Sequence, residues 1–416
     1  MVLSWLDKNG KLILVEKAVR TIPYGFLGVI YAVYLSELGF DPFLIGVVLT
    51  ATIASSAFYT LIASFVADSL GRRKTLVFFA MTDAVAGLLL FSSAAWWAPV
   101  TAGIVGNMTV GAGEVGPYLS LEQSILPQAA DDQHRTWGFS IYNVIGYAST
   151  GTGALLVGLP QLVGYSSTDY RPLFLIYLSS GLLASIIYSR LSQSVEKVGG
   201  TGQRWRDQPL SPGSKPIVAK LSALFAVDAF GGGFIGQSIL SYYFYLQYHL
   251  HLDSLGQIFA AASVVTAISF LIAPLIAKRL GLLRTMVFSH IPSNLLLLLV
   301  PFAPTVGSAV TLLLCRQSLS QMDVPTRQSF VMSMVPAEDR TKAAGLTNVS
   351  RTAASSISPS LAGYTIETFW IGSPLLLAAC LKLVYDLAIY RSFRTSEPSM
   401  ESGPRVSPKI ETGSST

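Results

Sequence analysis

Twelve stretches of this chain are each long and apolar enough to span a bilayer as a helix, and short polar turns separate them. They fall near residues 12–36, 42–67, 74–95, 99–126, 134–160, 171–191, 216–248, 254–277, 284–304, 306–334, 341–368 and 372–393. Crossing about 30 Å of hydrocarbon takes roughly 20 helical residues. A soluble core could not absorb this much apolar sequence: 51% of the 416 residues are hydrophobic, 12% are charged, and mean hydropathy is +0.53. Lipid is therefore the expected solvent for most of the chain. The stretches carry Gly, Pro, Ser and aromatics without a period of two, which predicts helices rather than a transmembrane barrel.

The chain repeats itself at half its length. The turn Leu70–Phe78, LGRRKTLVF, returns 210 positions later as Leu280–Phe288, LGLLRTMVF. Arg135-Thr136 and Asn143, preceded by Pro127, are echoed by Arg340-Thr341 and Asn348, preceded by Pro336. Tyr34-Leu35 with Asp41 and Gly46 reappear as Tyr245-Leu246 with Asp253 and Gly256, so offsets of 205 to 212 run through both halves. The clear polar break between stretches, 192–215, divides a six-helix bundle at 1–191 from a second at 216–393. The tail at 394–416 is rich in Ser, Pro, Glu and Gly and is expected to be disordered. Cations settle the expected orientation, because Lys and Arg in short loops stay cytoplasmic. With both termini inside, Arg72, Arg73, Lys74, Lys278, Arg279 and Arg284 lie on the cytoplasmic side, and Arg171 alone lies outside. No cleavable signal is visible, so the first stretch is expected to be retained in a multi-pass protein of the plasma membrane. The net charge of +5 reflects this topological bias, and no nucleic-acid partner is read into it.

The first basic turn carries more than topology. Asp68, Gly71, Arg72 and Arg73 fit the pattern Gly-x-x-x-Asp-x-x-Gly-Arg-Arg/Lys, with Ser64 in place of the first glycine. On these residues the chain resembles the major facilitator superfamily. The resemblance implies an all-α polytopic membrane protein, twelve transmembrane helices in two six-helix pseudo-symmetric bundles, rocking about a site near the midplane. It also implies a gate built on this turn, Asp68, Gly71, Arg72 and Arg73, in which Asp68 and Arg72 pair across the loop and with the end of a neighbouring helix, for example at Asp131 or Asp132, holding the cytoplasmic side shut. The plainer reading makes the cations topology anchors only. In the second copy Lys278 replaces the aspartate. The glycine and proline pattern of the family's proton-driven antiporters is partly present: Gly146, Gly151, Gly153 and Gly158 are there, but Pro160 follows them. Efflux by proton exchange is suggested on that ground.

Ionisable groups at span depth face a partner or a water-filled cavity. The candidates are Arg20, Asp83, Glu114, Glu122, Asp228, Arg316, Asp323, Arg327 and Arg351. Arg316, Ser320, Asp323 and Arg327 share one face of the tenth helix at helical spacing. Asp323 can pair with Arg327 one turn away; Arg316 is harder to satisfy and faces either substrate or a carboxylate across the cavity. Asp228 precedes Gly231-Gly232-Gly233 and is either a proton-coupling carboxylate beside a flexible helix or an aspartate bonded to a neighbour within small-residue packing. Glu114 and Asp323 are the next coupling candidates. Arg20, Arg316, Ser320, Asn348, Arg351, Ser355 and Tyr242 are the expected cavity contacts. The aromatics at 242–248 read more readily as an interfacial belt. His249, His251 and Asp253 read as a solvated loop rather than a metal site, and Cys315 and Cys380 as small core residues.

These readings predict a secondary transporter of a small organic solute, proton-coupled and acting in efflux. An importer or exchanger of an organic anion is the alternative, because Arg20, Arg316 and Arg351 lie at depth. A multi-span receptor or scaffold is the reading from another class, and it has little use for the duplicated turn. No phosphate-binding loop and no catalytic constellation has recognisable spacing, so neither an enzyme nor a cofactor is expected. The expected oligomeric state is a monomer.

Overall fold

Backbone polar groups find no water inside hydrocarbon, so a spanning chain must satisfy them within its own helices. In the computed structural model, which describes residues 5–110, 116–126, 135–166, 168–196, 210–336 and 339–395, the apolar stretches are helical. The first half contains α1 (Lys8–Glu37), α2 (Pro42–Leu70), α3 (Arg72–Ser92), α4 (Trp97–Val105), α5 (Pro117–Ile125), α6 (Arg135–Leu155), the short α7 (Leu159–Leu162) and α8 (Arg171–Ser189). The second contains α9 (Ser214–Gly233), α10 (Gln237–Tyr248), α11 (Leu252–Leu280), α12 (Leu282–Leu299), α13 (Val306–Ser320), α14 (Asp323–Ser333), α15 (Arg340–Thr368) and α16 (Ser373–Phe393).

Local chemistry sets the helix ends. Asp7 accepts from the Gly10 amide at 2.7 Å and Asp41 from the Leu44 amide at 2.7 Å, giving α1 and α2 side-chain caps. Gly71 (φ +94°) ends α2 and opens α3, and Gly281 (φ +89°) does the same between α11 and α12. The duplicated turn therefore has one backbone shape, which a residue with a Cβ adopts only under strain.

Three expected spans are not continuous. The 99–126 window stops at Val105 and resumes at Pro117, 216–248 breaks between Gly233 and Gln237, and 306–334 breaks between Ser320 and Asp323. The break in the second window follows Gly231–Gly233, where three residues without side chains weaken the helix. Among the described residues, eight helical segments are long and apolar enough to cross a bilayer; α4, α5, α13 and α14 are too short, and α6 and α15 are too polar.

The two halves meet at one end of the bundle. Ser238 Oγ donates to the Gly28 carbonyl (3.1 Å), Ser241 Oγ to that of Val29 (2.7 Å), and Ser360 Oγ lies 2.7 Å from Thr50 Oγ1. A buried apolar cluster runs across both halves here, from Phe26–Leu35 of α1 to Ile239–Phe244 of α10, whereas two further clusters each stay within one half. The opposite end holds both described chain ends. Asn9 of α1 bonds Ser192 and Ser194 beyond α8 (2.9 and 3.0 Å), and Phe393 of α16 packs on Phe330 of α14.

Two expectations about surface and core are corrected. Cys315 and Cys380 are exposed rather than buried in the core. Tyr242, Tyr243 and Phe244 are buried rather than forming an interfacial belt, because α10 is wedged against α1 at the seam.

Candidate functional site

The expected gate is only partly within view: the Asp68 side chain, Asp131 and Asp132 lie outside the described residues, as does Glu114. What is described is a helix cap. The Glu196 carboxylate accepts from the backbone amides of Arg72 (2.5 Å) and Arg73 (3.1 Å), placing a negative charge at the N-terminus of α3. The Arg73 guanidinium reaches the Leu191 carbonyl (3.3 Å). A side chain at Gly71 would collide with Glu196, its Cβ lying 2.9 Å from the carboxylate. Gly71, Arg72 and Arg73 thus tie α3 to the segment that leaves α8. Glu196 lies over 120 positions away in sequence, and no local signal marked it.

Deeper in each half lies a buried polar cluster. In the first half Arg20 donates through Nε to Glu16 (2.9 Å) and through its terminal nitrogen to Glu122 (2.7 Å), with its guanidinium 4.3 Å from the centre of the Tyr118 ring. Tyr142 and Tyr188 donate to Glu122 at 2.6 and 2.7 Å, and Lys17 Nζ donates to Tyr142 at 3.0 Å. Asp83 of α3 accepts from the Asn107 amide (2.8 Å), Tyr118 (2.6 Å) and Tyr177 (3.2 Å). Charges removed from water this completely persist only when paired and hydrogen-bonded.

In the second half Asp228 is the hub. Its Oδ1 takes Lys382 Nζ at 2.6 Å and its Oδ2 takes Arg351 at 2.9 Å and Arg327 at 3.5 Å, while Arg327 also pairs with Asp323 one turn away. His290 lies 2.7 Å from Asp386, which also accepts from Asn294 at 2.8 Å. Asp323 pairs with Arg327 one turn away, as their spacing allows, and Asp228 is bonded to its neighbours; together these residues form one network across α9, α12, α14, α15 and α16. Glu16, Lys17, His290, Lys382 and Asp386 were not among the charges singled out from sequence. They were readable as ionisable residues inside apolar stretches, with Glu16 four residues before Arg20 and Lys382 four before Asp386.

Arg316 stands apart. It is 7% exposed, its Nε has no hydrogen-bond partner, and no carboxylate among the described residues lies within ion-pair distance. Its guanidinium donates to Gln317 Oε1 (2.5 Å), which also receives the Ser320 hydroxyl (3.1 Å), and Gln317 Nε2 donates to Thr266 of α11 (3.4 Å). Its hydrogen-bond partners are thus neutral. Of the other expected cavity contacts, Asn348 is exposed, Ser355 is half-buried and bonded to its own helix at Thr352 (3.1 Å), and Tyr242 sits at the seam with its hydroxyl 3.4 Å from Ser36. Among the described residues no group of three or more His, Cys, Asp or Glu side chains could hold a metal ion.

Two helical halves that pack at one end, each holding a cluster of buried charges, define a polytopic membrane transporter fold, and comparison with known proteins agrees. The Major Facilitator Superfamily profile matches residues 18–359. The chain belongs to that superfamily. It is 24% identical over 418 residues to the uncharacterized membrane protein YJR124C of Saccharomyces cerevisiae, covering 92% of this chain and 93% of that protein. Among solved structures it resembles the nucleoside transporter NupG (14% identity, TM-score 0.71, 93% of this chain and 100% of that one). It also resembles the human organic anion transporter MFSD10 (13%, 0.66, 92% and 98%) and a D-xylose-proton symporter (13%, 0.69, 92% and 98%). These likenesses establish the fold.

Proposed function

We propose that this protein is a secondary active transporter that carries a small organic anion across the plasma membrane by alternating access, driven by a proton gradient. In this reading the chain crosses the membrane twelve times with both termini in the cytoplasm. The seam then closes the outer face, and the end bearing Arg72, Arg73 and Glu196 is the inner gate, with Asp68, Asp131 and Asp132 contributing to it. Arg316 carries the anion assignment: it is a buried guanidinium with an unpartnered donor and, among the described residues, no carboxylate within ion-pair distance. Around Asp228 the cations Arg327, Arg351 and Lys382 meet the carboxylates Asp228 and Asp323, while Arg316 lies outside these ion pairs. An anionic solute would pair with the Arg316 guanidinium and matches its planar donors. Likeness to an organic anion transporter supports the same class.

The test is flux into proteoliposomes under an imposed pH gradient, with p-aminohippurate and succinate as anions, uridine and xylose as neutral solutes and tetraethylammonium as a cation. Anion uptake is expected to follow the gradient, and reversing it reads whether anion and proton move together or in exchange. Arg316→Gln should lower anion kcat/KM by about 30-fold, the roughly 2 kcal/mol contributed by a hydrogen bond to a charged group. Transport of neutral solutes alone, or equal losses for anions and cations, would refute the anion site.

A further inference from the structure

The arginines inside the bundle are answered in two ways. Arg20 pairs with Glu16 and Glu122, Arg327 with Asp323 and Asp228, and Arg351 with Asp228. Arg316 meets Gln317 instead, a side chain with the shape of a glutamate and none of its charge. A neutral acceptor satisfies one guanidinium nitrogen and leaves the positive charge uncompensated.

The Gln317 amide is held at both ends. Its Oε1 accepts from Arg316 Nη1 (2.5 Å) and from the Ser320 hydroxyl (3.1 Å), and its Nε2 donates to Thr266 Oγ1 of α11 (3.4 Å). The reversed amide would set N–H groups against the guanidinium donors, so the network admits one orientation. Thr266 is itself buried, at 1% exposure, which fixes the far end of the chain of bonds. A guanidinium is planar with its donors in a rigid fork, so holding Nη1 aims the remaining N–H groups. Among the described residues the bond through Nη1 is the one this guanidinium makes, and Nε has no partner.

We propose that Gln317 is the positioning and specificity-determining residue of the anion site: it holds Arg316 through Nη1 without neutralising it, and turns the Nε edge toward the carboxylate group of the solute. This rests on the anion reading above. A carboxylate offers two oxygens in the spacing of a guanidinium edge, and an edge already held in place loses little freedom when it binds. A glutamate at position 317 would instead complete an ion pair within the protein, as happens at Arg20, Arg327 and Arg351. The choice of amide over acid at one position therefore decides whether Arg316 is open to a solute or satisfied by its neighbour.

The test is equilibrium binding of radiolabelled p-aminohippurate and succinate to the purified protein in detergent, with thermal unfolding of the same samples. Gln317→Glu keeps the shape and supplies a counter-charge, so Kd for the bound carboxylate should rise about 30-fold, the worth of a hydrogen bond to a charged group. The melting temperature should rise as well, because a buried cation gains a partner. Loss of binding with gain of stability separates this role from a merely structural one, in which the two would fall together. In the Arg316→Gln background the same substitution should give no such rise. Thr266→Val frees the amide nitrogen and should weaken binding about 5-fold, as for a neutral hydrogen bond; it decides the matter if Gln317→Glu does not fold. Wild-type affinity in Gln317→Glu, affinity and melting temperature falling together, or, where that variant does not fold, wild-type affinity in Thr266→Val, overturns the assignment and leaves Arg316 as the anion site. A wild type that binds neither carboxylate refutes the anion reading, and this assignment with it.

Discussion

Asp228 shows how much one buried carboxylate can organise. Lys382, Arg351 and Arg327 reach it from three different helices, so its charge holds those helices in register as well as neutralising them. Asp228→Asn keeps the shape and removes the charge, leaving the Lys382 ammonium without a carboxylate. The expected loss is roughly 3–5 kcal/mol, the range for breaking a buried ion pair. Unfolding in detergent measures it, and Asp228→Asn with Lys382→Met should recover part of the loss. A single variant as stable as the wild type would show that the hub is dispensable. At this scale the sequence was partly legible: Arg316, Ser320, Asp323 and Arg327 are all buried and Asp323 pairs with Arg327, but the helix breaks between Ser320 and Asp323, so the four do not lie on one continuous helix. Glu16 and Lys382 escaped notice because each sits in a stretch whose apolar neighbours dominate any local average, and their partners are supplied by helices far away in sequence.

Among the elements, paired glycines explain how the halves approach. The built Cβ of Gly46 on α2 would lie 2.3 Å from the Pro359 carbonyl oxygen of α15, and that of Gly256 on α11 would lie 2.4 Å from the Ala154 carbonyl oxygen of α6. The two positions are related by the internal repeat, so the same close crossing occurs twice. Gly46→Val cannot be accommodated without parting α2 from α15. The expected result is a larger population open at this end, read as faster labelling of Ser360→Cys by a membrane-impermeant maleimide in the Gly46→Val background. Unchanged labelling would show that the crossing does not seal the seam. The glycines were visible in the sequence as a matched pair, but their purpose was not, since it depends on which helix lies opposite.

For the molecule as a whole, alternating access requires the seam to open once per cycle. Thr50 Oγ1 and Ser360 Oγ are 2.7 Å apart across it, close enough for a disulfide to replace the contact. Thr50→Cys with Ser360→Cys should cross-link on oxidation and stop flux, with recovery after reduction, whereas either single substitution should transport normally. Flux that persists in the fully cross-linked protein would rule out a seam that opens during transport.

Hydrophobic stretches and a duplicated basic turn were enough, without coordinates, to specify a helical membrane protein in two related halves, because lipid forces helices and repetition along the chain survives folding. The partners of each buried charge were decided only by tertiary structure. Helical periodicity predicts which face a side chain occupies, but a charge is satisfied by whatever other helices bring to that face. The convergence of Lys382, Arg351 and Arg327 on Asp228 arises there, from three helices far apart along the chain.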